Sequence, residues 1–564
     1  MQHSEEIFEG KNSIKPPMNA AQLFVRCLEN EGVKYVFGIP GEENIRTVDA
    51  FNGSSIRFIL VRHEQAASFM ADIYGRLTGL PGVCIATLGP GAINLLLGTA
   101  DAHTDSVPLV AISAQVGLNR IYKESHQSVD LVNMFKPVTK WAELIQSAEA
   151  IPEMVRSAFK QAQTERPGAV YLALAQDVET LPAPEGYHPL KINIVRDSSP
   201  SATQIARAVK ILEAAKRPIV LAGHGAVRDH ASEALIRFSE RLGIPVAATF
   251  MGKGVFPDNH PNSLGAVGFM LHDYVNFGFD QADAVLCVGY DLQEFDPVRI
   301  NPKGDKQILH IHRYPAGVDA HYHVAVGIQG SISESLDALS QGIQAAPQLS
   351  PIGIKISRLI REELGRGSKD DSYPVNPRRI VADIRAAMGE EDIVLVDTGA
   401  VKMWMARLYP TYRPNTCLIS NGLSTMAFAF PGAIAAKLAF PERKVLAVAG
   451  DAGFLMNSQE LETAVREQIP VVVLVWVDGS YGLIKWKMDI ELGRHSHVDF
   501  GNPDFVRLAE SYGAKGYAIR RTEDLLPTLQ RALVDNTVSV IACPVDYTQN
   551  NVLTDKLGEL TRPL

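Results

Sequence analysis

The chain has 564 residues, 46% of them hydrophobic and 21% charged, which is the composition of a folded globular protein of about three domains. Its formal net charge of −9 argues against nucleic acid or anionic membranes as partners, because both require a basic patch. Residues 1–17 lack the apolar core of a signal peptide, and no apolar run is long enough to span a bilayer, so we expect a cytoplasmic protein.

The N-terminal third alternates helix and strand patterns. These predict an amphipathic helix over residues 20–31 and strands over residues 35–37, 57–62, 82–87 and 107–113. The last two strands are continuously apolar, which is typical of strands buried on both faces of a parallel sheet. A polar, proline-rich stretch at residues 181–201 predicts a linker, so we place the first domain at residues 18–182.

The middle and last thirds repeat this alternation. Strands are predicted over residues 218–222, 245–249, 284–289, 307–311, 393–397, 416–420, 445–449, 471–476 and 538–544. A second linker at residues 345–376, containing a charged helix over 354–364, separates domains placed at residues 200–345 and 375–550. The expected fold is therefore α/β, with three doubly wound parallel-sheet domains of ordinary size.

The cysteines and paired histidines do not predict a metal site. The five cysteines stand singly, several of them in apolar runs: Cys27, Cys84, Cys287, Cys417 and Cys543. We therefore expect buried free thiols in a reducing compartment. His310 and His312 lie on one face of a predicted strand without a third ligand.

Residues 450–482 carry two carboxylates, Asp451 and Asp478, each directly after a strand-like apolar run. A helix is predicted between them over residues 458–468. In a right-handed βαβ unit both carboxylates would lie at the carboxyl edge of one parallel sheet, where open α/β sheets bind ligands. Small residues after each aspartate allow the backbone to approach a diphosphate, and Mg²⁺ prefers a few such oxygens plus phosphates. Ordinary helix capping is the alternative.

This segment resembles the thiamin-diphosphate signature of the acetolactate synthase and pyruvate decarboxylase superfamily. It departs from that signature in Ala452, where the superfamily has glycine, and in Val477-Asp478, where it has Asn-Asn. The aspartate is similar to that of the FAD-independent, catabolic acetolactate synthases. The resemblance implies that Asp451, Asp478 and the Ser480 carbonyl hold Mg²⁺. It implies cofactor contacts from Gly399, Ala400, Gly422, Met426, Gly450, Asp451, Ala452, Gly453, Asp478, Ser480 and Tyr481, with Met426 as the apolar residue that bends the cofactor.

Arg62-His63-Glu64 follows a predicted strand and opens a helix predicted over residues 66–77. A glutamate in the first turn usually complements the helix dipole. The resembling family has Arg-His-Glu at a similar depth, which implies that Glu64 hydrogen-bonds the pyrimidine ring of the cofactor at N1′ and promotes deprotonation of its thiazolium carbon. The glycine turns at residues 38–41 and 89–91 suit any post-strand turn, but the family places them around the same ring, which adds Pro40, Gly41 and Asn94.

The substrate side is predicted less sharply. The loop at residues 123–127 resembles the substrate loop of the family, in which His126 and Gln127 would hydrogen-bond the substrate carboxylate and the developing alkoxide. Polar residues in a loop need no such role. Gln115, at a strand end, matches a family glutamine or asparagine near the reacting carbon. The match around Trp486 and Lys487 is inexact, which leaves the preference for the second substrate open.

A flavin is not expected. Gly223-His224-Gly225 has the start of a dinucleotide turn but lacks the third glycine and the later acidic partner. The run that begins at Gly289-Tyr290 is similar to that of the catabolic enzymes and not to the Arg-Phe-Asp-Asp-Arg run of FAD-binding relatives.

The resemblance covers residues 18–547 and implies an acetolactate synthase that uses thiamin diphosphate and Mg²⁺. Such an enzyme decarboxylates pyruvate and joins the two-carbon unit to a second 2-oxoacid, giving 2-acetolactate and CO₂, in branched-chain amino acid biosynthesis or an acetoin pathway. The family joins Glu64 to the metal site across a subunit interface, which implies a homodimer or homotetramer. The alternatives are another thiamin-diphosphate 2-oxoacid decarboxylase, an aldehyde carboligase, a pyruvate oxidase, or a non-catalytic nucleotide-binding homologue.

Overall fold

The computed structural model describes residues 18–193, 198–268, 274–344 and 352–550. Within these residues lie three six-stranded sheets, one in each third of the chain, and all of their strand pairings are parallel. Each sheet and its helices form what we call the N-terminal, central and C-terminal units. The α/β fold with three parallel sheets is confirmed.

The N-terminal unit has the strand order β2-β1-β3-β4-β6-β5. Its strands are β1 (Tyr35–Gly38), β2 (Arg57–Leu60), β3 (Gly82–Ala86), β4 (Leu109–Gln115), β5 (Ala142–Ile145) and β6 (Ala169–Ala175). Its helices are α1 (Ala20–Asn30), α2 (Ile45–Ala50), α3 (Glu64–Thr78), α4 (Pro90–Thr104), α5 (Leu131–Phe135), α6 (Ile151–Gln163) and α7 (Gln176–Glu179). Strands β3, β4 and β6 are buried at every residue, as their continuous apolar sequences require.

The central unit has the order β12-β11-β10-β7-β8-β9. Its strands are β7 (Pro218–Ala222), β8 (Val246–Ala248), β9 (Ser263–Ala266), β10 (Ala284–Val288), β11 (Gln307–His312) and β12 (Val324–Gln329). Its helices are α8 (Ala202–Ala214), α9 (His224–Arg228), α10 (Ser232–Leu242), α11 (Tyr274–Gln281), α12 (Pro297–Ile300) and α13 (Ile332–Gly342). Helix α14 (Ile352–Gly367) follows and extends beyond both ends of the helix predicted there.

The C-terminal unit has the order β14-β13-β15-β16-β18-β17, which is the topology of the N-terminal unit again. Its strands are β13 (Ile393–Val396), β14 (Cys417–Ile419), β15 (Val445–Gly450), β16 (Val472–Val477), β17 (Lys515–Ala518) and β18 (Ser539–Pro544). Its helices are α15 (Pro377–Ala387), α16 (Ala400–Leu408), α17 (Ala429–Ala439), α18 (Asp451–Met456), α19 (Glu460–Arg466), α20 (Gly482–Leu492), α21 (Phe505–Ser511) and α22 (Leu525–Val534).

Two helix predictions near the site were inaccurate. Helix α3 begins at Glu64, two residues before the predicted start, because the Nδ1 atom of His63 accepts the backbone N–H of Gln65 at 3.1 Å and caps the helix. The helix predicted over residues 458–468 is the shorter α19, and a further helix that was not predicted, α18, begins at Asp451 itself. Both candidate carboxylates Glu64 and Asp451 therefore stand at the first position of a helix.

Equivalent helices join the N-terminal and C-terminal units. Helix α3 follows the second strand of its sheet, α17 follows the second strand of the other, and the two pack against each other in one continuous core. The contact is close because α17 is rich in small residues: a Cβ atom on Gly432 would lie 2.7 Å from Ile73. Phe69 and Phe428 meet edge to face across it, with ring centroids 6.0 Å apart.

The prediction of buried free thiols is confirmed within the described residues. All five cysteines are free and buried, and burial raises the pKa of the Cys27 thiol to about 12 and that of Cys417 to about 11. Over the same part of the chain, none of the helices combines the length and apolar character needed to cross a bilayer.

Candidate active site

The sheet of the C-terminal unit reverses its direction of growth between β13 and β15. The chain moves from β13 outward to β14, then returns to β15 and continues outward through β16. Such a switch point opens a crevice at the carboxyl ends of the two central strands. Asp397 follows β13, Asp451 follows β15, and Asp478 follows β16 beside it, where Gly450 pairs with Trp476. The predicted meeting of Asp451 and Asp478 at one sheet edge is therefore what the structure shows.

A cleft lies at this edge. Ten of the residues predicted to contact the cofactor line it: Gly399, Ala400, Met426, Gly450, Asp451, Ala452, Gly453, Asp478, Ser480 and Tyr481. Thr398, Leu483, Ile484 and Tyr547 complete its wall together with Val401 and Gly482. Every lining residue belongs to the C-terminal unit.

Asp451 is the most firmly held side chain of the cleft. It is 1% exposed, and its Oδ2 atom accepts hydrogen bonds from the backbone N–H groups of Asp478 (3.1 Å) and Gly479 (2.8 Å) and from Nδ2 of Asn502 (2.8 Å). Its Oδ1 atom accepts the N–H of Ala452 at 2.8 Å. Four donors therefore fix the carboxylate and tie the turn after β15 to the turn after β16.

Asp478 lies beside this carboxylate. Its Oδ2 atom accepts the Ser480 hydroxyl at 2.7 Å. Burial, and in addition the negative charge of Asp451, raises the pKa of Asp478 to about 6. Two acidic side chains that repel each other in a partly buried site are the arrangement that a divalent cation would relieve.

Asn502 is a site residue that the sequence did not reveal. It belongs to residues 498–502, which fold back over the turn after β16: Phe500 donates its N–H to Gly479 O at 2.9 Å, and Tyr481 donates its N–H to Val498 O at 2.9 Å. The Oδ1 atom of Asn502 is buried without a hydrogen-bond partner within the described residues. A buried amide oxygen next to the Asp451 carboxylate adds to the donor set suited to Mg²⁺.

Asp397 positions the segment that carries Met426. Its carboxylate, 1% exposed, accepts the N–H groups of Thr398 (2.9 Å), Ala427 (3.1 Å) and Phe428 (3.3 Å). Burial raises its pKa to about 7 against these hydrogen bonds. A Cβ atom on Gly453 would lie 2.4 Å from this carboxylate, so the first turn of α18 needs the glycine there. Asp397 thereby links three parts of the cleft wall: the turn after β13, the segment that carries Met426, and the first turn of α18.

The loop between β14 and Met426 is held from the N-terminal unit. Asp105, at the end of α4, accepts the N–H of Gly422 at 2.7 Å, and Asp101 accepts the Ser420 hydroxyl at 2.7 Å. A Cβ atom on Gly422 would lie 2.5 Å from Asp105. Gly422, which was expected to contact the cofactor, thus packs against α4 and does not line the cleft.

The predicted residues of the N-terminal unit form a second group. Asn94 on α4 donates its Nδ2 hydrogen to Oε2 of Glu64 at 2.9 Å. A Cβ atom on Gly91 would lie 3.1 Å from Glu64 and 2.9 Å from Thr87, and one on Gly41 would lie 2.2 Å from Thr87. Both glycine turns therefore close around Thr87, a residue without a sequence signal, next to the Glu64 carboxylate. Pro40 precedes Gly41 in the first of these turns.

The helix start that bears Glu64 rests on a carboxylate of the C-terminal unit. Glu460 is fully buried and accepts the N–H groups of Arg62 at 3.1 Å and His63 at 3.0 Å, together with the Thr463 hydroxyl at 2.6 Å. Desolvation raises the pKa of Glu460 to about 7. Because its contacts are almost 400 residues away in sequence, only the tertiary structure identifies this positioning residue.

The three candidates for substrate contacts, His126, Gln127 and Gln115, lie in two different settings. Gln127 adjoins the Glu64 group, since a Cβ atom on Gly89 would lie 2.5 Å from its carbonyl oxygen, and both His126 and Gln127 are exposed. Gln115 is buried, and its amide bonds the Val129 carbonyl (3.2 Å) and the Val116 N–H (2.9 Å), so it fastens this loop to β4.

Two residues left open by the sequence lie outside the cleft. Trp486 is buried in the core of the C-terminal unit, and Lys487 is exposed on α20. Leu483 and Ile484, one turn earlier on the same helix, line the cleft instead.

Comparison with known proteins places these groups in a family. Three thiamine pyrophosphate (thiamin diphosphate) enzyme models match the chain: the N-terminal TPP binding domain at residues 18–134, the central domain at 205–339, and the C-terminal TPP binding domain at 397–543. The matches fall on the three sheets, and the two TPP-binding matches contain the Glu64 group and every lining residue of the cleft except Tyr547. The chain belongs to the thiamine pyrophosphate enzymes.

Within that family the chain groups with the acetolactate synthases. It is 36% identical to the catabolic acetolactate synthase of Raoultella terrigena, over 96% of this chain and 97% of that one. It is 34% identical to the acetolactate synthase of Bacillus subtilis over 98% of both chains. It is 35% identical to the probable acetolactate synthase large subunit of Methanocaldococcus jannaschii over 96% and 95%. The resemblance inferred from the motifs is confirmed, and the protein is a thiamin-diphosphate-dependent enzyme.

Proposed function

We propose that the protein is an acetolactate synthase of the flavin-free, catabolic kind, which condenses two 2-oxoacid molecules to 2-acetolactate with loss of CO₂. The observation that supports it best is the pairing of a cleft built around Asp451 and Asp478 with a separate Glu64–Asn94 group, in a chain similar to acetolactate synthases along its whole length. Thiamin diphosphate, when bound, supplies the nucleophilic carbon and the electron sink for decarboxylation.

The cleft suits the diphosphate and its metal. Asp451, Asp478 and the Ser480 carbonyl would hold Mg²⁺, with Asn502 as a further oxygen donor beside them. The described residues contain no cluster of three or more His, Cys, Asp or Glu side chains poised for a metal. Two carboxylates suffice for Mg²⁺, because this ion retains water and binds substrate phosphates. No atom lies within 4 Å of the Cβ position of Gly450, which leaves space for an anion beside the start of α18.

Glu64 is proposed to hold the proton at the pyrimidine ring. Asn94 fixes the carboxyl group through Oε2, and Gly91 leaves the other oxygen accessible, because any side chain there would press against Oε1. His126 and Gln127, on the loop next to Gly89, would orient the substrate carboxylate and the developing alkoxide. Gln115 contributes by holding that loop. Met426, positioned by Asp397, would support the cofactor in its bent form.

The two groups are proposed to meet across a dimer interface. The cleft is lined by the C-terminal unit alone, and exposed apolar side chains flank both groups: Ile93 and Leu97 on α4, and Leu423 and Met456 near the cleft. A second copy of the chain would cover them. The domain boundaries near residues 182, 200, 345 and 375, and a homotetramer built from two such dimers, belong to the same proposal.

Mixed dimers test the shared site. Glu64→Gln and Asp451→Asn homodimers should each be inactive. After the two are mixed, dissociated and reassociated, each mixed dimer keeps one intact site, so about a quarter of the wild-type activity should return. Mixtures that stay inactive, although mass spectrometry shows mixed dimers, would place the two groups in one chain.

A flavin-free enzyme is supported by the central unit. The segment Gly223–Gly225 forms the start of α9, where a dinucleotide would place its diphosphate, but the carboxylate of Glu294 lies there instead. It accepts the N–H of His224 at 2.9 Å and the Thr249 hydroxyl at 2.5 Å. A Cβ atom on Gly225 would lie 2.4 Å from the His312 ring, so side chains of the chain itself fill the turn. Purified protein without flavin absorbance is expected.

Product analysis tests the reaction. Purified protein with thiamin diphosphate, Mg²⁺ and pyruvate should release CO₂ and form acetolactate, which acid converts to acetoin. Acetaldehyde alone would indicate a simple decarboxylase, and acetate with peroxide a pyruvate oxidase; either result would refute the proposal. Addition of 2-oxobutyrate to the same assay measures the preference for the second substrate.

A further inference from the structure

A second cavity lies between the central and C-terminal units, next to α14, and shares no lining residue with the cleft. Its walls come from the segment after β8, from α14, and from the end of α16. The two units are fastened together at this point: Asp258 donates its N–H to Thr411 O at 3.0 Å, and its carboxylate accepts the Thr411 N–H at 2.8 Å. The cavity is therefore a fixed feature of the contact between the two units.

The lining is strongly cationic. Lys253, Arg361 and Arg407 line the cavity, and Asp258 is the one acidic side chain among the lining residues. Arg361 lies on the exposed side, whereas Lys253 and Arg407 are buried. Arg407 also pairs with Glu363 at 2.9 Å, and Glu363 in turn pairs with Arg378 at 3.0 Å.

Lys253 is poorly compensated for a buried ammonium group. Its side chain is 2% exposed, and its ion partner is Oδ2 of Asp258 at 3.5 Å. That oxygen is already engaged with the Thr411 N–H. An ammonium group carries three donors, and burying it without close acceptors is costly.

Tyr409 supplies a further donor without an acceptor. It lines the cavity, it is 1% exposed, and its hydroxyl has no hydrogen-bond partner within the described residues. The guanidinium group of Arg385 stacks over its ring, 5.0 Å from the centroid, which adds positive charge behind the phenol. Burial raises the pKa of Tyr409, so the hydroxyl stays protonated and able to donate.

We propose that this cavity binds a phosphate group, held by Lys253, Arg407 and the Tyr409 hydroxyl. The several oxygens of a phosphate match the Lys253 ammonium group and the Tyr409 hydroxyl, which lack close acceptors, and its negative charge matches the cationic lining. The apolar side chains of Ile360 and Leu364 on α14 leave the exposed side suited to an organic substituent. The phosphate is therefore either inorganic or part of a small monoester.

The test is calorimetric titration of the full chain with inorganic phosphate. Saturating thiamin diphosphate and Mg²⁺ keep the cleft occupied, and ionic strength is held constant with chloride. We expect one saturable site per chain. Lys253→Met should weaken it at least about tenfold, since a charged hydrogen-bond donor is lost, and Tyr409→Phe by about three- to tenfold. Lys306→Met is the matched control, because Lys306 is also buried (4% side-chain exposure) beside one aspartate, 3.3 Å away, and should change affinity less than about twofold.

Each outcome of this titration either supports or overturns the phosphate site. No saturable binding by the wild-type chain, or unchanged affinity in both cavity variants, overturns the proposal. If Lys253→Met does not fold, Tyr409→Phe, which keeps the ring, decides alone. Pyruvate that competes as well as phosphate would mean a carboxylate site and also overturns it. Glycerol 3-phosphate that binds more tightly than inorganic phosphate supports a monoester as the natural ligand, and the reverse order supports inorganic phosphate.

Discussion

The substitution Asp451→Asn tests the construction of the cleft. The carboxylate accepts four donors, three of them at Oδ2 and one, the Ala452 N–H, at Oδ1. Asparagine has one side-chain oxygen. If that oxygen takes the place of Oδ2, the amide group faces the Ala452 N–H, donor against donor, at the first turn of α18.

The expected loss of stability follows from the number of hydrogen-bond donors left without an acceptor. One buried donor without an acceptor costs about 1–3 kcal/mol, so the free energy of unfolding of the cofactor-free protein should fall by about that amount. The loss of the negative charge also weakens the binding of the cofactor and its metal ion. We expect the affinity for thiamin diphosphate with Mg²⁺ to fall by about 100-fold or more, since even supporting groups around a metal contribute about 10–100-fold.

Chemical unfolding measures the first effect, and calorimetric titration with thiamin diphosphate and Mg²⁺ measures the second. Asp499→Asn is the control, because it removes the same charge from the segment that folds over the turn after β16, at a side chain 62% exposed and paired with Lys485. It should change stability by less than about 1 kcal/mol and leave cofactor affinity intact. Cofactor binding by Asp451→Asn within threefold of wild type would refute a metal role for this carboxylate.

Three further predictions concern residues away from the cleft. Glu64→Gln should lower kcat by about 10²–10⁴-fold, while the affinity for the cofactor stays near that of wild type. Hydrogen–deuterium exchange at the thiazolium carbon, measured by NMR, should slow as well. An unchanged exchange rate would exclude the proposed proton role of Glu64. Burial raises the pKa of Glu460 to about 7 from 4.5, so its stabilising contribution is complete below about pH 4.5 and is lost as the pH rises through about 7. Wild type should therefore lose up to about 3 kcal/mol relative to Glu460→Gln between about pH 5 and pH 8, measured by urea unfolding, and parallel pH profiles would contradict this. Arg76→Met removes the buried cation 2.9 Å from Asp105 and 3.4 Å from Asp72, and should destabilise the protein by about 3–5 kcal/mol in the same assay; a loss below about 1 kcal/mol would mean that the carboxyls are neutral.

Local patterns were enough to predict the architecture. Continuous apolar runs separated by helical periodicity predict buried parallel strands, and the structure has three such sheets. Asp451 and Asp478 could be placed together because each directly follows a strand, and parallel neighbours end at one edge. Other features were missed. The predictions did not include five strands: β5, β6, β9, β12 and β17. Of these, β5 and β17 carry little apolar signal, whereas β6 is apolar throughout, and the start of α3 depends on the His63 cap.

The sequence by itself thus determined the fold class, the family and the two groups of candidate residues, because strand ends, glycine turns and helix starts are encoded within a few neighbouring positions. Only the tertiary structure decided what holds those groups in place. Asn502 reaches Asp451 from 51 positions away, Glu460 supports the start of α3 from 397 positions away, and Asp105 holds Gly422 from 317 positions away. Such contacts depend on how the three units pack, and no local pattern in the chain records that packing.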